Sequence, residues 1–187
     1  MERSLVLIKP DGVQRSLIGK IISRFEDTGL KIVAMKMLWV DREFAGKHYP
    51  LDEEWARKMY NRTKEAYDKA GKKMDYSDHM EMGNTIRERN MNLIQEGPVV
   101  AMVIEGPSAV ELIRKMVGHT EPRQALPGTI RGDFASIESY AATDPKKRVL
   151  RNLVHASDSP ENAEKEIALW FKREEIHDYK KELDKYF

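Results

Sequence analysis

Apolar residues occur in short bursts whose spacing changes several times along the chain. Residues 4–8 form a compact apolar run halted by Lys9-Pro10-Asp11-Gly12, which predicts a strand ended by turn residues. Leu17, Ile18, Ile21, Ile22 and Phe25 then recur at helical spacing, and Thr28-Gly29 stops that helix. Ile32, Ala34 and Met37 lie among Lys31 and Lys36, so residues 30–40 read as a second strand. Residues 44–49 predict a short helix cut by Pro50. Residues 52–76 are highly charged and helix-prone, anchored only by Trp55, Met59 and Tyr60, and another helix is expected over 86–94. Residues 99–104 read as a buried strand, and Pro107-Ser108 opens a helix with Val110, Ile113 and Val117 on one face. With Pro122, Pro127 and Gly128, residues 118–132 are expected to be mostly loop. A last strand is expected over 149–154. Ser159-Pro160-Glu161 then starts a helix: a hydroxyl cap, a proline in the first turn, and an acid near the positive helix end.

Strands separated by helical crossovers in a β-α-β-β-α-β order predict an α+β, ferredoxin-like sandwich with an antiparallel sheet. Helices are expected to cover one face, leaving the other for a partner subunit.

Charged residues make up 34% of the 187, well above the usual quarter, yet 32 Lys+Arg against 31 Asp+Glu leave a net charge of +1. No global basic field argues for nucleic acid. The basic run Lys146, Lys147, Arg148 and Arg151 has no interleaved aromatics and has acids nearby. The apolar runs are far shorter than a membrane span, and nothing resembles a secretory signal. Zero cysteines excludes disulfides, thiolate zinc sites and cysteine nucleophiles, and the expected location is cytoplasmic.

Without cysteine, histidine is the best candidate for a nucleophile or proton shuttle. Of the five, His155 falls at the end of the expected last strand, ahead of a capped helix. Glu166 lies seven residues past Ser159, two helical turns, and could reach back to orient the imidazole. Taken alone, a histidine at a strand end is more often structural. Lys9 closes the first strand and could serve a phosphate as a point charge, or merely cover the core edge with its stem. Arg114, Thr120 and Arg131 flank the proline-rich loop. Converging, they would make a polyphosphate clamp; singly, each reads more simply as a solvated helix residue or a loop arginine tied to Asp133.

Three stretches in this order are more specific than any residue alone: Lys9-Pro10-Asp11-Gly12-Val13, then Leu126-Pro127-Gly128-Thr129-Ile130-Arg131-Gly132-Asp133-Phe134, then Asn152-Leu153-Val154-His155-Ala156-Ser157-Asp158-Ser159. Together they resemble the nucleoside diphosphate kinase family over most of the chain. The resemblance implies one domain over 1–187 that moves a terminal phosphate between nucleotides by a ping-pong route. His155 would be the nucleophile, with Glu166 on its other ring nitrogen, directly or through Ser157. It further implies Lys9 at the γ-phosphate and sugar hydroxyl, and Arg114, Thr120 and Arg131 on the β-phosphate side. Asn152 would meet the ribose 3′-hydroxyl, and Tyr49 would pack near the histidine. Mg²⁺ would arrive on the nucleotide phosphates, and the protein would be a homo-oligomer, most often a hexamer in this family. A non-catalytic nucleotide-binding module of the same fold is the alternative.

This sequence departs from the family pattern in three places. Ala156 replaces the usual glycine after the histidine. Insertions occupy roughly 55–83 and 138–148. Ile86 and Val149 would then stand where the base is held, which implies apolar contacts and broad base specificity.

Overall fold

The structure, a computed structural model, describes residues 1–187 except 70, 72, 144, 145, 183, 184, 186 and 187. Its centre is an antiparallel sheet of four strands: β1 (Glu2–Ile8), β2 (Lys31–Leu38), β3 (Val99–Gly106) and β4 (Val154–Ala156), in the order β2-β3-β1-β4. β1 pairs with β3 from Glu2↔Gly106 to Ile8↔Val100, and with β4 through Leu7↔His155. The unbroken apolar run that predicted β1 is explained by burial on both sides. Val6 and Ile8 join one core and Leu5 and Leu7 the other.

Helices therefore cover both faces, contrary to the expectation of one bare face. On the first face lie α1 (Pro10–Gln14), α2 (Ile18–Glu26) and α6 (Ala109–Val117), with Ile21, Phe25 and Ile113 fully buried. On the second lie α3 (Arg42–His48), α5 (His79–Gln95) and α9 (Pro160–Trp170), contributing Ala45, Met91, Ile94, Ile167 and Trp170. The sequence pattern did not reveal this because α3 and α9 bring only a few large apolar residues each.

The first insertion folds as α4 (Glu53–Lys69) packed against α5. α5 starts at His79 rather than near Ile86, because Asp78 caps it by accepting from Met80 and Glu81 N–H at 2.8 Å each. The two helices approach so closely that a Cβ on Gly83 would lie 2.8 Å from Ala56 Cβ. Within the second insertion, α8 (Tyr140–Thr143) is short, and Asp144 and Pro145 lie outside the described residues. Both Arg148 amino nitrogens reach Glu138 at 2.8 Å, and Arg151 reaches Glu96 at 2.6 Å, so half of that basic run is neutralised locally.

Two other differences have local causes. The loop over 118–132 holds a 3-10 turn at Pro122–Gln124 and runs into α7 (Ile130–Ala135), whose N-cap Thr129 accepts from Gly132 N–H at 3.1 Å. The last strand is only Val154–Ala156. Residues before it are pulled off the sheet at Leu153, which takes φ of +69° with its N–H on Asp11 Oδ2 (3.0 Å) and its carbonyl on Lys9 N–H (2.7 Å).

The C-terminal tail runs beside edge strand β2, with His177 N–H on Val33 O and Tyr179 hydroxyl on Ile32 O, both at 2.8 Å. Further along that edge Met35, Met37 and Trp39 are 56%, 55% and 66% exposed. Among the described residues no helix is long and apolar enough to cross a membrane.

Candidate active site

The turn after β1 organises the site. Pro10 starts α1, Asp11 turns its carboxylate onto Leu153 N–H, and Lys9 is left buried at the sheet rim with Leu153 locked beside it. That lock carries a left-handed, non-glycine conformation costing on the order of 1 kcal/mol. It sets Asn152 on one side and His155 on the other. Asp11 is thus a positioning residue that the sequence reading passed over, although the Lys-Pro-Asp-Gly turn contained it.

His155 sits on β4. Its Nε2 meets Glu166 Oε1 at 2.9 Å, while Ser157 hydroxyl donates to Glu166 Oε2 at 2.6 Å. The expected contact is therefore direct, with Ser157 bracing the same carboxylate. Ser157 is itself fixed by Leu5 N–H at 3.1 Å. Glu166 reaches back because α9 starts where the sequence places it: Ser159 hydroxyl accepts from Asn162 N–H at 3.2 Å and Pro160 opens the first turn. An acceptor at Nε2 requires the proton there, which leaves Nδ1 with its lone pair and, among the described residues, no hydrogen-bond partner. Ala156 is extended strand, not a positive-φ residue, so glycine is not required there.

Behind His155 stands His48, 7% exposed, its ring edge-on to His155 at 4.8 Å between centroids. Trp170 Nε1–H donates to His48 Nδ1 at 3.2 Å. Burial, then the neighbouring His155 and Lys9, hold the His48 pKa well below the ordinary histidine value. A neutral ring there packs against His155 without adding charge.

A cavity of about 280 Å³ brings the expected residues together. Lys9, Asn152, Thr120 and Arg131 line it together with Tyr49, His155, Glu166 and Arg114. A larger groove, about 920 Å³, adjoins it across Arg114, Gly118 and Asp158 but contains neither Lys9 nor His155. Lys9 Nζ donates to Asn152 Oδ1, and Asn152 Nδ2 donates to Thr120 O at 2.8 Å. Arg131 is buried, not tied to Asp133, which pairs with Arg24 at 3.0 Å. Instead Arg131 donates to Asn152 O (3.2 Å), Gly118 O (2.9 Å) and Val154 O (2.8 Å). Three of its five N–H groups are thereby used, and two remain for a ligand. Gly118 has φ of +84°, and a Cβ there would lie 2.5 Å from Thr129 Oγ1, so the loop past α6 needs glycine. Ile86 and Val149, both half-buried, do not line this cavity. Asn90 from α5 does, as do Asp158 and Asn162; nothing in the sequence spacing marked Asn90.

Burial lowers the Lys9 pKa to about 8, with Arg131 and Arg151 adding to the fall and Asp11 opposing it. Burial likewise brings Arg131 down to about 10, helped by Arg114. Burial, with Glu166 and Asp11 nearby, raises the Tyr49 phenol, so it remains a neutral hydroxyl. Affinity for ADP is expected to fall as pH rises from about 7.5 to 9.5 and Lys9 discharges, and Lys9→Met is expected to lose that slope; calorimetric titration across the range checks it. Stability moves the other way. Between about 8 and the unfolded lysine value of ~10.4 the unfolded chain holds a proton that the folded chain does not, so this group's contribution to stability rises with pH.

The family model described as nucleoside diphosphate kinase matches residues 2–71 and 58–176. The chain belongs to the nucleoside diphosphate kinase family. It is 46% identical over 180 residues to the nucleoside diphosphate kinase of Pyrobaculum aerophilum, covering 94% of this chain and 98% of that one. It is 45% identical over 187 residues to that of Pyrococcus furiosus, covering 100% and 93%. The crystal structure of the Pyrobaculum aerophilum NDP kinase superposes with a TM-score of 0.89 at 44% identity, over 95% of this chain and 99% of that one. The Borrelia burgdorferi nucleoside-diphosphate kinase, solved as a transition-state mimic with vanadate and ADP, superposes at 0.79 with 37% identity, over 98% and 94%. Membership of the nucleoside diphosphate kinase family favours the catalytic reading over the non-catalytic module, and such kinase activity implies a divalent metal. Among the described residues no group of three or more His, Asp and Glu could cage one. Of the two cavity carboxylates, Glu166 is committed to His155 and Ser157, leaving Asp158. That donor set fits a metal carried on phosphate oxygens.

Proposed function

We propose that the protein transfers the terminal phosphate of a nucleoside triphosphate to a nucleoside diphosphate through a phosphohistidine at His155. The observation that carries this is the imidazole itself: Nε2 is held by a braced carboxylate, Nδ1 has no partner among the described residues, and the ring shares a cavity with Lys9, Arg114 and Arg131. The Nδ1 lone pair attacks the γ-phosphorus, the bond to the β–γ bridging oxygen breaks, and the diphosphate leaves with that electron pair. The positive charge on the ring is stabilised by Glu166 through Nε2–H. A second diphosphate then attacks the phosphoryl group from the same seat, and the imidazole is returned neutral.

Lys9, the two free N–H groups of Arg131, and Arg114 supply donors to the phosphate oxygens, with Thr120 beside them. Asn152 and Lys9 serve the sugar hydroxyl in this reading, and Tyr49 lines the cavity with His155. Magnesium, bound to the nucleotide phosphates, would offset their charge when present. Ile86 and Val149 are our proposal for the apolar flanks of the base: Ile86 is on the helix that brings Asn90 into the cavity, and Val149 precedes Asn152 by three residues. The whole chain, insertions 55–83 and 138–148 included, is read as one such domain, acting in the cytoplasm as a homo-oligomer, with the hexamer favoured. The exposed Met35, Met37 and Trp39 beside β2 support self-association.

The deciding experiment is incubation with γ-labelled ATP. An acid-labile, base-stable phosphoryl adduct that GDP discharges to labelled GTP supports the reading; a protein that binds nucleotide but takes up no label refutes it. Glu166→Gln is expected to slow transfer about 10- to 100-fold, the loss of one charge-assisted bond, while the phosphoenzyme still forms. Single-turnover labelling of that variant measures the drop.

A further inference from the structure

The side chains lining the cavity differ in whether the protein already holds them. Lys9, Arg131, Asn152 and Glu166 are each engaged as described, and Asn162 Nδ2 donates to Asp158 Oδ1 at 2.7 Å. Among the described residues the Tyr49 hydroxyl, the Arg114 guanidinium, the Thr120 hydroxyl and the Asn90 carboxamide have no hydrogen-bond partner. The first three have a place in the reaction above. Asn90 has none, yet it is the residue that α5 sends into the cavity.

Its chemistry separates it from the phosphate donors. Phosphate oxygens only accept, so cations and hydroxyls suffice for them. A carboxamide presents two N–H donors and a carbonyl acceptor on one planar head. That pattern matches a group offering both functions side by side, and the same head pairs two bonds at once with adenine in other settings. Position agrees with chemistry. Asn90 follows Ile86 by four residues and so shares its helix face, which places the amide beside the proposed apolar flank of the base. The helix is also fixed: Arg87 Nε donates to Tyr49 O at 2.7 Å, tying this turn of α5 to the end of α3.

We propose that Asn90 hydrogen-bonds the edge of the nucleobase and makes the site selective among bases, where apolar contacts alone would leave it indifferent. The proposal rests on a nucleotide occupying this cavity with its phosphates toward His155, and not on the covalent step.

Calorimetric titration of the full chain with ADP, GDP, CDP and UDP, each with magnesium, tests it without turnover. The unsubstituted protein is expected to spread its four dissociation constants over about tenfold or more. Asn90→Leu and Asn90→Ala are each expected to narrow that spread to about twofold while still binding all four. A spread of twofold or less before substitution overturns the proposal, as does a spread that both variants retain. An equal loss for all four also overturns it, because the amide would then serve sugar or phosphate. Failure to form the phosphohistidine leaves these constants readable, so the two ideas fail separately.

Discussion

His155→Ala abolishes transfer: exposed to γ-labelled ATP, the variant takes up no acid-labile label, and exchange between unlike nucleotides falls by at least about 10⁴-fold. Among the described residues no second histidine lines the cavity to take over. Among the described residues His48 is the imidazole packed nearest, but it is buried, spends Nδ1 on Trp170 and stands behind His155. The loss should be confined to chemistry. The cations proposed to meet the phosphates, Lys9, Arg114 and Arg131, come from the rim of β1, from α6 and from α7, and none hydrogen-bonds the His155 ring. ADP should therefore bind the variant within a few-fold of the unsubstituted protein, measured by calorimetry. A variant that kept its label would move the nucleophile elsewhere; one that lost ADP binding as well would make His155 a structural residue.

The parts of this site legible in the sequence are those fixed by local rules. The run over residues 5–8 and the turn after it announced a buried strand with Lys9 at its rim. Ser159 and Pro160 fixed the start of α9, and two turns of helix then delivered Glu166 to the right face. The rest depends on contacts between distant segments. Residues 149–153 look like strand in isolation, yet Asp11, some 140 positions earlier, captures Leu153 and shortens β4 to three residues. Arg131 next to Asp133 invites a local ion pair, but Arg24 takes the aspartate and three carbonyls take the arginine. Asn90 could not be singled out because a polar residue on an amphipathic helix reads as solvent-facing until a cavity is found beside it.

Arg131→Ala should damage stability and both halves of the reaction together. In the folded chain its guanidinium ties Gly118, at the end of α6, to Asn152 and Val154, which bracket the segment leading into His155. Removing it leaves three carbonyls to find water in a buried place, at a cost of about 2–4 kcal/mol. For a chain of this size that lowers the melting temperature by roughly 5–15 °C, readable by calorimetric melting. In the proposed reaction its two remaining N–H groups meet phosphate, and donor and acceptor nucleotides use the same seat. Phosphorylation by ATP and dephosphorylation by GDP, each followed in a single turnover below the melting range, should slow by similar factors of about 10² or more. Arg131→Lys should recover little of either effect, because one ammonium cannot span three carbonyls and a phosphate. A variant slowed in only one half-reaction would mean that donor and acceptor occupy different seats, and the proposed ping-pong route through one cavity would then be wrong.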